Sequence, residues 1–209
     1  MARAFAKLAF TPTVQSIQKQ HGSAETYQKF LENEAEQANK LTNREIEFIS
    51  ERDGFYQSSV SETNWPYVQF RGGPKGFLKI IDEQTIAYAD YRGNRQYIST
   101  GNLTTNNRTS LILMDYPNRR RLKIWGEVNI IEPSSNPTLI SNLHDETYRA
   151  LPERVIQITV KAFDWNCPQH IPQRLTLEEL EPHIQPLREE IKKIKEENER
   201  LKQTSKPSS

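Results

Sequence analysis

Short runs of alternating hydrophobic and polar residues fill the middle of the chain, from Phe55 to Glu132. They are rich in Val, Ile, Tyr, Phe and Thr, and turn-forming stretches with Gly, Pro, Asn or Asp separate them. A helical segment at about 138–151 precedes one further, longer alternating run. This spacing predicts a mainly β (α+β) fold with a small closed or split antiparallel barrel over residues 42–166. The predicted strands are FYQSSVSE, WPYVQFRG, GFLKIID, TIAYADY, RQYIST, SLILMDY, RLKIWGEVNIIE and ERVIQITVKAFDW.

Helical patterns flank the predicted barrel at its N-terminal side. Residues 1–40 form a polar lead-in with helical stretches, the second of which begins at Ser23. In LTNREIEFISERDGFY, Thr42 or Asn43 is the expected N-cap, and Ile46 and Ile49 share one apolar face. We expect Gly54 to stop this helix.

The C-terminal part has a different, heptad-like pattern, which predicts an amphipathic or coiled-coil helix followed by a disordered tail. Two prolines, Pro182 and Pro186, should restrict a continuous helix to the part after about Gln185. The helix either pairs in a parallel dimer or docks on its own barrel. We therefore divide the chain into residues 1–40, 41–175 and 176–209. The apolar or core positions are Leu177, Leu180, Ile184, Leu187, Ile191, Ile194, Asn198 and Leu201.

Composition restricts the classes of partner. The 209 residues carry a formal net charge of +1, so no global field attracts nucleic acid or a membrane surface. No apolar run approaches the ~18 residues of a membrane span. The single cysteine suits a reducing compartment, and we expect a soluble cytoplasmic protein. The absence of acidic residues before Glu25 leaves an organellar presequence as the alternative.

The segment FRGGPKGFLK, residues 70–79, combines three glycines with three cations. Its glycines would let the backbone approach a flat ligand, and Arg71, Lys75 and Lys79 would bring positive charge. The glycine spacing matches neither a phosphate loop nor a dinucleotide fingerprint. The alternative interpretation is a glycine-rich hairpin connection with solvated charges.

The segment YRGNRQYISTGNL, residues 91–103, contains a second candidate site. Arg92 and Arg95 flank the turn-like pair Gly93-Asn94, and three hydroxyl and amide side chains follow: Ser99, Thr100 and Asn102. Guanidinium groups beside several short-range donors are what a phosphate monoester requires. The pattern fits an anion site and an ordinary hairpin turn with surface arginines equally well.

Two further segments carry chemically reactive or basic side chains. Alternation along RRRLKIWGE would place Arg121 and Lys123 on one face of a strand, which makes a poor groove for nucleic acid. This segment has two interpretations: it places one arginine inward at a ligand site, or its charges protect an edge strand. Cys167 and His170 lack a second pair at zinc-ligand spacing and an orienting acid, and Trp165 is more typical of core than of a ligand wall.

Taken together, these segments resemble the pyridoxamine 5'-phosphate oxidase-related family of FMN-binding split-barrel proteins, over about residues 41–175. The resemblance is carried by EFISERDGFY, NWPYVQFRGGPKGFLKIID, IAYADYRGNRQYISTGNL, SLILMDYPNRRRLKIWGEV and AFDWNCPQHI. It implies a homodimer with FMN at the interface between two barrels.

The resemblance also implies roles for particular residues. The strand from Phe70 through Arg71 to Lys79 would run along the flavin ring, with its backbone bonding the pyrimidine edge. Arg121 takes the strand position where oxidases of the family have a glutamine near the flavin, and Trp165 would help wall the site. The phosphate partners would be Lys79, Asn94 and Arg95, and Ser99 and Asn102 would lie beside the ribityl chain or ring.

Two departures from the family pattern bear on the activity. The Ser-Arg-Lys run of the true oxidases corresponds here to Gly93-Asn94-Arg95, and their C-terminal substrate segment is not recognisable. The resemblance therefore implies FMN binding more firmly than oxidation of pyridoxamine phosphate. An FMN-dependent oxidoreductase acting with a nicotinamide cofactor or a small-molecule substrate is the leading hypothesis. A flavin-binding or protein-interaction module without turnover is the alternative.

Overall fold

The computed structural model describes residues 3–31, 39–165 and 168–204, and its centre is one antiparallel sheet of seven strands. The strands lie in the order β2-β1-β5-β6-β7-β4-β3. They are β1 Gly54–Val60, β2 Pro66–Gly72, β3 Lys79–Asp82, β4 Thr85–Tyr91, β5 Arg108–Asp115, β6 Arg120–Ile131 and β7 Pro152–Trp165. The helices are α1 Arg3–Ala9, α2 Pro12–Gln20, α3 Ala24–Gln28, α4 Asn43–Ser50, α5 Ile98–Thr105, α6 Pro137–Leu143 and α7 Leu177–Thr204.

Seven of the eight predicted strands are confirmed, and the exception is RQYIST, whose second half forms the start of α5. The β-branched residues Ile98 and Thr100 favour a strand locally, but packing against the sheet decides the outcome. Leu103 of α5 is buried in the core, and Asn102 Nδ2 donates to Ser59 Oγ of β1 at 3.0 Å. A helix forms here because it buries Leu103 in the core and lets Asn102 bond to β1.

The two faces of the sheet have separate cores, as the alternation along the strands requires. On the inner face, Ile86 and Tyr88 of β4 pack with Ile156 and Ile158 of β7 in the main cluster, which also includes α4 residues. On the outer face, Ala87, Ala89 and Val155 pack with the α6 residue Leu143.

Side chains join strands that lie near the two ends of the sheet. Four strands separate β2 from β4 in the sheet order, yet Arg71 Nη1 of β2 lies 2.7 Å from Asp90 Oδ1 of β4. The other oxygen, Oδ2, accepts from Arg154 Nη1 of β7 at 2.9 Å. Beneath this pair, the buried Tyr88 hydroxyl donates to Gln57 Oε1 at 2.5 Å. The sheet is therefore curled into a split barrel that these contacts close.

Helix α4 packs on the barrel as its sequence predicts. Thr42 is the N-cap and forms a capping box with Glu45, whose Oε1 also accepts from Trp165 Nε1 at 2.6 Å. Trp165 packs edge-on against Phe48, with ring centroids 4.7 Å apart. The helix ends at Ser50, four residues before the glycine that was expected to stop it.

The C-terminal helix α7 is longer than its prolines predict, because Pro182 and Pro186 lie inside one 28-residue helix. Thr176 caps it in a box with Glu179, whose backbone N–H donates to Thr176 Oγ1 at 3.2 Å. The carbonyl groups that lose their helical donors belong to exposed residues, Glu178 and Pro182, so water can satisfy them. Among the described residues, no helix has the length and apolar character needed to cross a membrane.

The contact of Arg71 and Arg154 with Asp90 gives a first prediction on stability. Replacing Asp90 by alanine (Asp90→Ala) removes the carboxylate that the two arginines share, and their side chains are only 16% and 12% exposed. We expect the free energy of unfolding in urea to fall by about 3 kcal/mol, the usual cost of breaking a buried ion pair. Glu146→Ala removes an exposed carboxylate and should change it by less than about 0.5 kcal/mol. Equal effects of the two substitutions would contradict this role of Asp90.

A second buried carboxylate, Asp115, fixes the turn between β5 and β6. Its Oδ2 lies 2.6 Å from Arg120 Nη2, its Oδ1 accepts from the Asn118 backbone N–H at 3.2 Å, and Arg52 Nη1 lies 3.8 Å away. Burial disfavours the charged carboxylate, but the hydrogen bonds from Arg120 and Asn118 and the charge of Arg52 outweigh it. The pKa of Asp115 is therefore lowered in the folded chain.

The lowered pKa predicts a pH dependence of stability. A carboxyl group with a folded pKa below its unfolded value of about 4 stabilises the fold above that pH. This contribution is lost as the pH falls from about 4 through the folded pKa. In Asp115→Asn, the free energy of unfolding should be reduced at pH 7 and should fall less steeply below pH 4 than in the parent chain. Urea titrations at a series of pH values measure both, and parallel profiles would refute the assignment.

Candidate functional site

A cleft of about 210 Å³ lies where the inner face of β2 meets the end of β4 and the loop that follows it. Three arginines line it, namely Arg71, Arg95 and Arg154, together with two acidic residues, Asp90 and Glu153. The first turn of α5 also borders the cleft. Polar side chains from three elements complete the lining, among them Gln69, Asn94, Tyr97, Ser99 and Thr100.

The loop between β4 and α5 has an unusual backbone. Arg95 and Tyr97 both adopt left-handed conformations, with φ of 61° and 54°, which non-glycine residues rarely do. Asn94 Oδ1 accepts from the Gln96 backbone N–H at 3.1 Å and so braces the turn from within. This tight turn connects β4 to α5 and holds Asn94 and Arg95 at the mouth of the cleft. Strain of this kind is concentrated at binding and active sites.

The start of α5 adds backbone donors to the cleft. Ile98, Ser99 and Thr100 are its first three helical residues, and all three line the cleft. The first N–H groups of a helix have no partner within the helix and carry its partial positive charge. Ser99 Oγ donates to Gln69 Oε1 at 2.8 Å, which joins the helix start to β2.

Arg71 and Arg154 place two guanidinium groups on the cleft floor. Each uses Nη1 on Asp90, and the Nε of each is buried without a hydrogen-bond partner among the described residues. The Arg154 guanidinium also lies 5.2 Å from the centre of the Tyr97 ring. Arg154 Nη2 also lies 3.4 Å from Glu153 Oε2, so Asp90 and Glu153 together balance the two guanidinium groups.

At the rim, Arg95 and Glu153 are differently engaged. A hydrogen bond with Tyr97, followed by the charge of Glu153, raises the pKa of Arg95, whose side chain is exposed. Arg92 Nε donates to Glu153 Oε1 at 2.9 Å, and this bond lowers the pKa of Glu153. Arg92 therefore pairs with Glu153, whereas Arg95 lies beside the cleft.

A second hollow of about 130 Å³ continues from the cleft along β2. The two share Arg71, Asp90 and Tyr91, and the second is also lined by Phe70 and Tyr88. Phe70 is 58% exposed on the outer side of β2. Its ring packs edge-on against Tyr56 at a centroid distance of 5.4 Å.

Of the nine sequence-predicted site residues, the cleft brings together Arg71, Asn94, Arg95 and Ser99. Phe70 borders the adjoining hollow, and Asn102 lines a third hollow on the other side of α5. The structure does not bring the remaining three, Lys79, Arg121 and Trp165, into the cleft.

Each of those three residues has a different environment. Lys79 is exposed on β3, where its charge helps to lower the pKa of Asp145. Arg121 alternates with the buried Leu122 and therefore projects from the outer face of β6. Trp165 contacts α4 as described above. Their predicted roles at a flavin stay predictions, because the contacts of a second chain would decide them.

The glycines of FRGGPKGFLK serve packing within the chain. The Gly73 backbone N–H donates to Asp53 O at 2.9 Å, and that of Gly76 donates to Arg52 O at 2.8 Å. Gly76 has φ of 75°, and a Cβ there would lie 2.9 Å from the Ser50 carbonyl oxygen. This turn consequently needs glycine in order to sit on the end of α4.

Within the described residues, the other reactive or basic segments show no second cluster of site residues. Arg120 and Lys123 of the basic run are paired with buried carboxylates, and Lys123 Nζ lies 2.9 Å from Asp164 Oδ2. His170 is exposed with φ of 62°, and Cys167 lies outside the described residues.

Sequence reasoning missed Arg154, the arginine that completes the cleft floor. The signal was present in the alternation of β7, where Arg154 is in phase with the buried Ile156 and Ile158. An arginine on the inner face of a barrel strand requires a carboxylate or a ligand, since a lone buried charge is too costly. The carboxylate is that of Asp90, which lies directly opposite Arg154 in the pairing of β4 with β7.

The chain is similar to one protein family and to several solved structures. Among proteins with curated descriptions, none matches the chain. Solved structures similar to it include a pyridoxamine 5'-phosphate oxidase homologue from Lactobacillus delbrueckii (15% identity, 60% of this chain and 94% of that chain, TM-score 0.46). An FMN-binding protein from Syntrophomonas wolfei is 14% identical over 74% of this chain and 97% of its own, with a TM-score of 0.46. The Vibrio cholerae heme storage protein HutZ is 13% identical over 60% of this chain and 94% of its own, with a TM-score of 0.38.

The family model described as "Pyridoxamine 5'-phosphate oxidase" matches residues 41–166, which is more than half of the chain and spans the whole sheet. The chain belongs to the pyridoxamine 5'-phosphate oxidase family.

Proposed function

We propose that this chain is an FMN-binding flavoprotein with oxidoreductase activity. The observation that carries the proposal is the cleft in which Arg95, Asn94 and the first turn of α5 converge. A phosphate monoester is satisfied by this combination, since guanidinium groups donate charge-assisted hydrogen bonds and a helix start donates backbone N–H groups. The side chains of Arg71 and Arg154 line the floor of the same cleft.

The flavin ring is assigned to the neighbouring hollow and the outer side of β2. Phe70 supplies an exposed aromatic surface there, and β2 is an edge strand with one row of backbone groups unpaired by the sheet. A planar heterocycle with donors and acceptors along one edge suits such a strand. Arg71 and Asp90 belong to both hollows, so they lie between the phosphate and ring positions.

The size of the site supports a homodimer. Ligand pockets are usually about 300–1,000 Å³. The cleft measures about 210 Å³ and the adjoining hollow about 130 Å³, so the two together only just reach the lower end of this range. A single chain thus offers an incomplete enclosure for FMN. A second copy packed over β2 would complete it and would bring residues such as Arg121 or Trp165 within reach of the ring.

In this proposal the protein binds and orients the cofactor. FMN, when bound, supplies the oxidation–reduction chemistry, with a nicotinamide cofactor or a small molecule as the electron partner. Arg95, Asn94, Ser99 and the α5 N–H groups would hold the phosphate, and Phe70 would contact the ring. We place the protein in a reducing compartment such as the cytoplasm, and no nucleic-acid or membrane partner is part of the proposal.

The alternative is a flavin-binding or protein-interaction module without turnover. Its supporting observation is α7, which presents exposed apolar side chains that the flavin site does not use. The two functions differ in one measurable property. If reduced nicotinamide cofactors added anaerobically to the FMN-loaded protein bleach its visible absorption, the oxidoreductase function is supported. An FMN complex that no nicotinamide cofactor or deazaflavin co-reductant reduces would favour the module.

The phosphate assignment predicts the effect of Arg95→Ala. Because Arg95 is exposed and held by the loop alone, its loss should leave the fold intact and remove one charge-assisted partner of the phosphate. The dissociation constant for FMN, measured by quenching of flavin fluorescence, should rise about tenfold or more. The matched control is Arg119→Ala, which removes an exposed arginine in the β5–β6 turn and should leave the affinity unchanged.

Two results of this titration would oppose the proposal. Unchanged affinity in Arg95→Ala would exclude Arg95 from the phosphate site. A colourless purified protein that takes up no added FMN would overturn flavin binding altogether.

A further inference from the structure

Helix α7 carries a row of large apolar side chains that face solvent. Leu187, Ile191 and Ile194 are 57%, 52% and 56% exposed, although they lie on one side of the helix at alternating spacings of four and three. If α7 docked on its own barrel along this row, these side chains would be buried. We name this row, continued to Leu201, the α7 seam. Its d positions are Leu187, Ile194 and Leu201, and its a positions are Ile191 and Asn198.

The charges beside the seam are complementary to a second copy of the same helix. Glu190 and Glu197 fall at g positions, and Lys195 and Lys202 fall at e positions. In a parallel pair, each g residue faces the e residue five positions later in the partner, so both glutamates meet lysines. In an antiparallel pair, g faces g and e faces e, which would place glutamates together and lysines together.

The polar residue in the seam selects the same arrangement. Asn198 occupies an a position among apolar neighbours. In a parallel, in-register pair the two Asn198 side chains meet and can bond each other, whereas any shifted register buries each against a hydrophobic residue. Such an asparagine fixes register and a two-stranded state at some cost in stability.

We propose that the α7 helices of two copies of this chain pair as a parallel, in-register, two-stranded coiled coil along the α7 seam. From Leu187 to Leu201 the seam spans about 22 Å of helix. A coil this short is marginal when isolated. In the homodimer proposed above, the barrels would hold two α7 helices at an effective concentration of about millimolar, which favours their pairing. The inference extends the proposed function to a second interface and requires no bound flavin.

The segment before α7 fixes where this coil begins. Ile171 is buried, Gln173 Nε2 donates to Pro117 O at 2.9 Å, and the Arg174 guanidinium lies 4.9 Å from the centre of the Tyr116 ring. These contacts tie the start of α7 to the β5–β6 turn. A parallel pair therefore brings the same corner of both barrels to one end of the coil, with one two-fold axis shared by barrels and coil.

Disulfide trapping in the full-length chain tests the proposal. The only cysteine is first removed by Cys167→Ser, and Leu187→Cys and Ile194→Cys are then made separately in that background. After mild oxidation at micromolar concentration, both variants should run as covalent dimers on a non-reducing gel. Glu196→Cys, on the opposite side of α7, is the matched control. It should be linked about tenfold less, because only the seam residues are held together.

The pattern of links distinguishes the arrangements. An antiparallel pair can join at most one of the two positions to itself, so linking of only one would overturn the proposal. Linking of neither, or equal linking of the control, would also overturn it. Glu190→Lys with Glu197→Lys should abolish linking at Ile194→Cys, and adding Lys195→Glu with Lys202→Glu should restore it.

Flavin titration of the same variants separates this inference from the proposed function. FMN affinity that is retained while linking fails would refute the coil alone. Linking with no FMN uptake would support the coil and refute the flavin site.

Discussion

The contact of Asp90 with Arg71 and Arg154 is the constraint on which both the barrel and the cleft depend. Asp90 is the last inner residue of β4, and its two oxygens are bonded by arginines from β2 and β7. Because β2 is not paired with β4 through the backbone, this carboxylate closes a gap that hydrogen bonds of the sheet leave open. The same contact orients both guanidinium groups along the cleft floor. Barrel closure and the proposed anion site therefore share one set of side chains.

This sharing has an energetic consequence. Removing any one of these side chains would leave a largely buried charge without a partner, because Asp90 pairs with both arginines and Arg154 also pairs with Glu153. A ligand that binds only the folded chain would add to its stability. The loop after β4 has a similar dependence, since left-handed Arg95 and Tyr97 are strained and gain from contacts at the cleft. A strained loop beside a polar cleft is a common feature of binding sites.

The sequence allowed most of the fold to be predicted, because period-two alternation is a strong signal in strands with one buried face. It failed at RQYIST, where β-branched residues suggested a strand but packing of Leu103 against the core favoured α5. It failed again at Pro182 and Pro186, which were expected to confine a continuous helix to the part after about Gln185, although both lie inside α7. Both failures concern the surroundings of a segment, which local composition does not report.

The candidate site was predicted where its residues are close in sequence. Asn94, Arg95 and Ser99 lie in one loop and helix start, so a single segment revealed them. Arg154 belongs to a strand more than fifty residues later, and only the register with Asp90 brings it to the cleft. Arg121 and Trp165 lie outside the cleft of a single chain, and their assignment to it would require a second copy.

The cleft and helix α7 are both incomplete in a single chain. A cleft that one chain encloses incompletely and a helix whose apolar seam one chain leaves exposed both call for a second copy. A symmetric dimer has a single two-fold axis, so an interface over β2 and a parallel α7 pair must be compatible with that axis. The contacts of Gln173 and Arg174 with the β5–β6 turn anchor α7 to the barrel. Pairing of the helices would thus restrict how the barrels meet and, through them, how the flavin site is completed.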